Sequence, residues 1–171
     1  MAEPLTIYKM TILYMLDNAG FPLTGTQISD FFLEQEYTDY FQVQEVLSDL
    51  ADADLILSKS THSNTQYTLT SSGKETLDFF GDKLNDEIKL DIHDFLKKNK
   101  LEFKKENSML ADYYKTTNQK YAVRCQTCSG ENTMIDLTLL VSTREQAEAI
   151  CFNWKNQNED VYAYLMDLLL K

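Results

Sequence analysis

Two cysteines separated by two residues, Cys125 and Cys128, form the pattern in this sequence closest to a chemical site. The spacing is typical of half a zinc site or of a redox pair. A second pair of this kind does not occur in the sequence, and Cys151 is the one remaining thiol. An odd separation on a strand places two side chains on opposite faces. We therefore predict buried or edge cysteines, no metal site and no cofactor.

Acid–base or nucleophilic catalysis has few candidate residues. His62 and His93 are the only histidines, the side-chain type that normally titrates near neutral pH. The sequence contains neither a glycine-rich phosphate loop nor a Gly-x-Ser-x-Gly elbow. Asp112 and Asp136 lie in predicted strands and could face each other, but solvated strand carboxylates are the more common arrangement. We predict that the protein is not an enzyme.

Side chains able to contact DNA occur on a helix predicted over residues 39–53 and on the hairpin that follows it. Glutamine can pair with adenine, serine can pair with several bases, and the hairpin side chains can reach phosphate or sugar. The candidates are Phe41, Gln42, Gln44, Ser48, Lys59, His62 and Asn64. Two alternatives stay open: Phe41 packs beneath the preceding turn, and the hairpin tip is an ordinary polar loop.

The charge of this region opposes contact with a polyanion. Residues 1–80 contain three Lys and no Arg against twelve Asp and Glu, within a chain of formal net charge −11. Glu45 and Asp52 lie on the expected outer face of the 39–53 helix. The lysines supply about one to three phosphate contacts, whereas secure binders make roughly six to ten. We expect weak non-specific affinity for DNA.

The elements that position these residues follow one another with short connections. Apolar spacing predicts a helix over residues 6–18, and Thr24 with Gln27 forms a capping box for a helix to about residue 35. The 39–53 helix follows, with an inward stripe of Val43, Val46, Leu47 and Leu50. Strands over 55–60 and 66–69 form a hairpin, and Ser72 with Glu75 predicts a capped helix to residue 80. This order predicts a winged helix-turn-helix domain over residues 1–81.

The rest of the chain, residues 82–171, predicts a bridging helix followed by a small α+β domain. The bridging helix ends near a basic cluster formed by Lys97, Lys98, Lys100, Lys104 and Lys105. This cluster either binds phosphate or an acidic surface, or complements the helix dipole. Strand-like runs at 108–115, 120–127 and 133–141 predict a three-stranded antiparallel sheet. Two C-terminal helices are predicted, over 143–156 and 159–170.

The last predicted helix is apolar on nearly all sides, and such a helix must be buried on all sides. One face can cover the three-stranded sheet. We expect the remainder to fill a groove or to pair with a second subunit. The candidate dimer residues are Tyr162, Leu165, Met166 and Leu169.

The segment from Tyr67 to Leu77, Tyr-Thr-Leu-Thr-Ser-Ser-Gly-Lys-Glu-Thr-Leu, resembles the strand-to-helix passage of PadR-like winged-helix regulators. Over nearly the whole chain, the sequence is similar to an uncharacterised bacterial family known as domain of unknown function 4364. The matching segments include Leu5–Lys9, Phe21–Thr24, Ala111–Lys115, Glu145–Cys151 and Tyr162–Leu165. The resemblance implies a winged helix with an appended α/β domain and no assigned chemistry.

Two functions fit the sequence. The first is a cytoplasmic, homodimeric transcriptional regulator that binds double-stranded DNA and uses its C-terminal domain for dimerisation or sensing. The second is a winged-helix module whose acidic face binds a protein partner and not DNA. The sequence shows no signal peptide and no apolar run long enough for a membrane span, so we expect a cytoplasmic protein without a membrane partner.

Overall fold

A computed structural model describes residues 3–62, 64–130 and 132–171. These residues form a mixed α+β structure with six α-helices and two three-stranded antiparallel sheets. The chain divides into two compact units. Of the described residues, the first unit contains 3–60 and 64–104, and the second contains 61–62, 105–130 and 132–171. None of the helices in these described ranges is both long and apolar enough to cross a membrane.

The first unit contains five helices and one small sheet. A single 3₁₀ turn, Gly81–Lys83, precedes its last helix. The elements are α1 (Pro4–Ala19), β1 (Leu23–Thr24), α2 (Gly25–Glu34), α3 (Tyr40–Asp52), β2 (Ile56–Ser60), β3 (Thr65–Leu69), α4 (Ser71–Phe80) and α5 (Asp86–Ser108).

The first sheet has the order β1-β3-β2. The β2–β3 hairpin is the one predicted from the sequence, with Lys59 opposite Gln66. The strand β1 was not predicted from the sequence. It pairs Leu23 with Tyr67 and Thr24 with Gln66. This two-residue ladder fixes the chain just before α2 begins.

Helix α4 begins earlier than the sequence indicated. The N-terminal cap is Thr70, whose hydroxyl accepts a hydrogen bond from the Gly73 N–H at 3.0 Å, and not the predicted Ser72. The same hydroxyl donates to the backbone carbonyl of Asp54 at 2.7 Å. Thr70 therefore ties the start of α4 to the end of α3.

The core of the first unit continues into α5. Ile92, Phe95 and Leu96 are buried with residues of α1 and α2, and Phe31 packs edge-to-face on Phe95 with ring centroids 5.3 Å apart. Contacts therefore group this helix with the first unit as far as Lys104, whereas the predicted boundary followed Gly81. The apolar periodicity of α5 belongs to this core.

The second unit consists of one sheet and one long helix. Its strands are β4 (Met109–Lys115), β5 (Tyr121–Ser129) and β6 (Asn132–Val141), in the order β4-β5-β6. The helix α6 (Arg144–Leu169) covers one face, and it makes most of its sheet contacts with β4 and β5. Val123, Cys125, Ala147 and Trp154 form the centre of this core.

The prediction of two C-terminal helices was wrong, because α6 is continuous for 26 residues. No Gly or Pro occurs between Arg144 and Leu169 to interrupt it. At the expected break, the buried Asn158 amide donates to the backbone carbonyls of Trp154 and Lys155, both at 2.9 Å. Asn158 thereby satisfies its polar group inside the helix.

The two outer strands of this sheet have different edges. On β4, the carboxylate of Asp112 accepts a hydrogen bond from the backbone N–H of Tyr113 at 2.9 Å. On β6, ten residues form the opposite edge, and most of their side chains are exposed. Within the described part of the chain, no strand pairs with the outer side of β6.

Candidate functional site

Most of the helix residues proposed from the sequence to contact DNA lie on the outer face of α3, and α2 packs against this helix. Thr24 and Gln27 form the predicted capping box: the Gln27 N–H donates to the Thr24 hydroxyl at 3.1 Å, and the Thr24 N–H donates to the Gln27 side-chain oxygen at 3.0 Å. Both residues are buried. The start of α2 is therefore fixed by hydrogen bonds shielded from water.

Helix α3 begins with a single side-chain cap. The Asp39 carboxylate accepts a hydrogen bond from the Gln42 N–H at 2.9 Å, and its negative charge complements the helix dipole. The predicted inward residues, Val43, Val46, Leu47 and Leu50, are each about 1% exposed. Their burial fixes the rotation of α3 about its axis and therefore determines which residues of the helix face outward.

The outer face of α3 presents an aromatic residue and several polar side chains. Phe41 is 81% exposed, which excludes the alternative that it packs beneath the preceding turn. Its ring contacts Tyr40 edge-to-face with centroids 5.9 Å apart. Ser48 is exposed, together with Glu45 and Asp52. The first turn is therefore aromatic, and carboxylates follow it along the helix.

The side-chain amides of the two α3 glutamines, Gln42 and Gln44, each lie near a polar group of the protein. The Gln44 amide lies 3.4 Å from the Ser29 hydroxyl of α2 and is half-buried, so it contributes to helix packing. The Gln42 amide lies 3.5 Å from the Glu45 carboxylate on the same helix. Ser29 was not predicted to matter, although its position on the inner side of α2 is visible in the helical spacing. Among the α3 residues proposed to contact DNA, Phe41 and Ser48 are the most accessible.

The hairpin candidates lie in different environments. Lys59 is exposed on β2, and Asn64, just before β3, is half-buried. His62 groups with the second unit, where its ring stacks on Tyr113 with centroids 3.8 Å apart and its Nδ1 contacts the Asp112 carboxylate. Burial alone would raise the pKa of Asp112, but the hydrogen bonds from His62 and from the Tyr113 N–H hold it below its usual value.

Two of the three lysines in the first 80 residues form ion pairs. Lys74 contacts Asp17 at 2.9 Å and Asp78 at 3.3 Å, and these hydrogen bonds raise its pKa. Lys9 lies 3.9 Å from Asp49, which is itself on α3. Among the described residues, Lys59 is therefore the lysine of this region for which no carboxylate lies within 4 Å.

Two lysines of the basic cluster on α5 line a cleft of the first unit. The cleft has a volume of about 220 Å³ and lies beside the end of α1. Lys97, Lys100 and His93 contribute to its wall, together with the apolar residues Phe21 and Leu96. The His93 ring nitrogen also forms a hydrogen bond of 2.8 Å with the Tyr14 hydroxyl.

The cysteines of the second unit are free thiols. Burial raises the pKa of Cys125 to about 11, and the nearby Cys151 acts in the same direction. Cys128 is half-buried after a β-bulge at Thr127 and Cys128, so the simple alternation that placed the two thiols on opposite faces does not extend across it. The described residues contain no group of three or more His, Cys, Asp or Glu arranged to hold a metal ion.

Asp112 and Asp136 have separate partners. Asp136 forms a bidentate ion pair with Arg124, with distances of 3.0 and 2.8 Å, and this pair lowers the pKa of the carboxyl group. Asp112 has the partners described above. Each carboxylate therefore stabilises its own part of the sheet.

The candidate dimer residues lie on the second half of α6. Tyr162 and Leu165 are half-buried, and Met166 and Leu169 are exposed, with Leu169 at 72%. The expectation that a helix apolar on every side is buried on every side is thus not met within a single chain. An apolar surface remains at the end of α6.

The comparison with family models identifies the class of the protein. The chain belongs to the family described as domain of unknown function (DUF4364), whose model matches residues 8–169. No curated protein and no solved structure matches the chain.

Proposed function

We propose that this protein is a cytoplasmic winged-helix regulator that binds double-stranded DNA through α3 and the β2–β3 hairpin. The observation that carries the proposal is the arrangement of the outer face of α3. Helix α3 follows α2, whose start is fixed by a capping box. The buried apolar stripe of α3 fixes which side of the helix faces outward, and Phe41 and Ser48 are accessible on that side. A helix placed in this way can enter the major groove with residues of its first turns near the bases.

The hairpin supplies the second contact in this proposal. Lys59 is exposed on β2 and has no carboxylate within 4 Å among the described residues, so it is available to a phosphate oxygen. The second unit serves dimerisation or ligand sensing. A dimer would present two copies of α3 to the two halves of a DNA site.

The proposal requires measurable binding to DNA when salt is low. Fluorescence anisotropy of random-sequence duplexes, titrated at about 20 to 200 mM salt, tests it directly. Because few lysines are available, we expect weak binding with a logarithmic salt slope of about −1 to −3 per protomer. Absence of binding at the lowest salt concentration would overturn the proposal.

A second function is favoured by a specific observation, the carboxylates that follow Phe41 along α3. Glu45, Asp49 and Asp52 form an acidic surface beside two exposed aromatic rings, Tyr40 and Phe41. Aromatic residues are common in the centre of protein interfaces, and an acidic border attracts a basic partner. In this alternative, α3 binds a basic protein surface and DNA does not compete with it.

A further inference from the structure

The outer edge of β6 is the longest unpartnered backbone surface that the structure describes. The strand has ten residues, Asn132–Val141, whose only charged side chain is Asp136. It contains neither Lys nor Pro, which are the residues that commonly protect an exposed strand edge from pairing. An edge of this length and composition is a template for another strand.

Apolar side chains accompany this edge on both faces of the sheet. Leu140 is 63% exposed and Met134 is 44% exposed, and on the other face Leu139 is 45% exposed. The helix α6 lies mainly over β4 and β5, so it leaves the β6 side of the sheet the least covered. A strand added at this edge would shield these three residues from water.

We infer that β6 pairs antiparallel with β6 of a second copy, around a two-fold axis at Leu137, to form a six-stranded sheet across a homodimer. This inference rests on the dimeric state in the proposed function, and it assigns the dimer contact to β6 in addition to α6. It does not depend on DNA binding.

The sequence of β6 selects this register. Directly opposite residues in a flat antiparallel sheet lie on the same face. The two-fold axis must therefore place one residue opposite its own copy, and not opposite its neighbour in the sequence. An axis at Asp136 would oppose the two aspartates, which is repulsive. An axis at Thr138 would oppose Asp136 to Leu140 and would pair a shorter stretch.

With the axis at Leu137, Met134, Ile135, Leu137, Leu139 and Leu140 each lie opposite an apolar side chain, and Val141 lies opposite Thr133. Asp136 lies opposite Thr138 of the second copy, and its charge is already neutralised by Arg124 of its own chain. The pairs across the axis are Met134 with Leu140, Ile135 with Leu139, Leu137 with Leu137, and Thr133 with Val141. The register also pairs nine of the ten residues of the strand.

The register is tested by introducing opposite charges at two exposed positions that it places opposite each other. Met134→Glu and Leu140→Lys each place a charge opposite an apolar residue, and each change occurs twice in a symmetric dimer. Each single variant therefore replaces two apolar cross-strand pairs with pairs of a charge and an apolar side chain, which weakens the contact. We expect each single variant to raise the dimer Kd at least about fivefold in sedimentation equilibrium. The double variant, which places Glu opposite Lys, should return the Kd to within about twofold of the wild type.

A cross-linking measurement tests the axis independently. In a background with Cys128→Ser and Cys151→Ser, Leu137→Cys places two thiols directly opposite each other, and oxidation should give a covalent dimer. Asn132→Cys is the matched control, because its two copies would stand about 34 Å apart at 3.4 Å per residue. We expect this control variant to form no covalent dimer on oxidation.

Three results would overturn the inference. The first is a monomeric wild type at about 100 μM. The second is a dimer that is weakened by Leu169→Lys on α6 but not by the β6 variants, which would assign the contact to the helix alone. The third is that the β6 variants change binding of another protein, while the protein by itself has the mass of a monomer. Loss of DNA binding in the anisotropy assay would leave these outcomes unchanged.

Discussion

Gly73 lies so close to the backbone carbonyl of Leu55 that a Cβ atom added to it would stand 2.1 Å from that oxygen. The same atom would be 2.7 Å from the Leu69 side chain. The first turn of α4 therefore packs directly on the segment that joins α3 to β2. This contact orients α4 against the region that carries the proposed DNA-binding surface.

We expect Gly73→Ala to destabilise the first unit by roughly 2–4 kcal/mol, because the backbone of Leu55 has to move to admit the methyl group. Urea unfolding followed by far-UV circular dichroism measures the change. Gly25→Ala on α2 is the matched control, since its Cβ would lie at an ordinary 3.5 Å from Tyr67. Equal stabilities for the two variants would contradict the packing described for α4.

Trp154 joins α6 to the middle strand of the second sheet. Its indole N–H donates to the backbone carbonyl of Gln126 at 3.1 Å, and the side chain is buried. Trp154→Phe keeps an aromatic ring but removes the donor, so we expect a loss of about 1–3 kcal/mol from the unpaired carbonyl and the smaller ring. Thermal unfolding by calorimetry checks this value, and Phe152→Leu, at an exposed position of the same helix, should change stability by less than about 0.5 kcal/mol.

Cys125 should make the second unit less stable as the solution becomes alkaline. Its pKa in the folded protein is about 11, above the ordinary value, so the thiolate forms first in the unfolded chain. The stabilisation is complete below about pH 8 and is lost as pH rises towards 11. Between pH 8 and 10, we expect the free energy of unfolding to fall by on the order of 1 kcal/mol more in the wild type than in Cys125→Ala.

The fluorescence of Trp154, the single tryptophan of the chain, reports this unfolding at each pH. Cys128→Ala serves as the control, because the half-buried Cys128 lies outside the centre of the core. The explanation fails if Cys125→Ala and the wild type show the same dependence on pH.

The charge of α3 distinguishes the two proposed functions. Glu45→Gln with Asp52→Asn removes two exposed carboxylates and leaves Phe41 and Ser48 in place. If α3 faces DNA, repulsion falls, and we expect the affinity for a random duplex at about 50 mM salt to rise several-fold. Glu75→Gln with Asp82→Asn removes two charges elsewhere in the first unit and controls for net charge. Equal effects of the two pairs would indicate that net charge, and not the face of α3, determines binding.

Much of the local structure could be predicted because the signals are short-range. The capping box at Thr24 and the inward stripe of α3 each depend on residues within one or two turns of a helix. The hairpin and the three strands of the second sheet follow from alternating apolar residues between polar turns. These features require no knowledge of distant contacts.

The remaining features depend on tertiary contacts that the local pattern does not encode. The two-residue strand β1 exists because β3 is available beside it, and the Thr70 hydroxyl that caps α4 also donates to the distant Asp54 carbonyl. Gln44 lies against Ser29, which is 15 residues away in the sequence, and the local pattern does not encode this contact. The break predicted between residues 156 and 159 does not occur. The buried Asn158 amide donates to the Trp154 carbonyl, and α6 continues through this position.

The unequal edges of the second sheet have a consequence for the size of any assembly. A sheet with two open edges can add copies at both sides and grow into a filament. On the β4 side, the Asp112 carboxylate accepts the Tyr113 N–H and contacts His62, so part of that edge is occupied, whereas no described strand pairs with the outer side of β6. Self-pairing at β6 occupies that edge in both partners, so a third chain cannot add there.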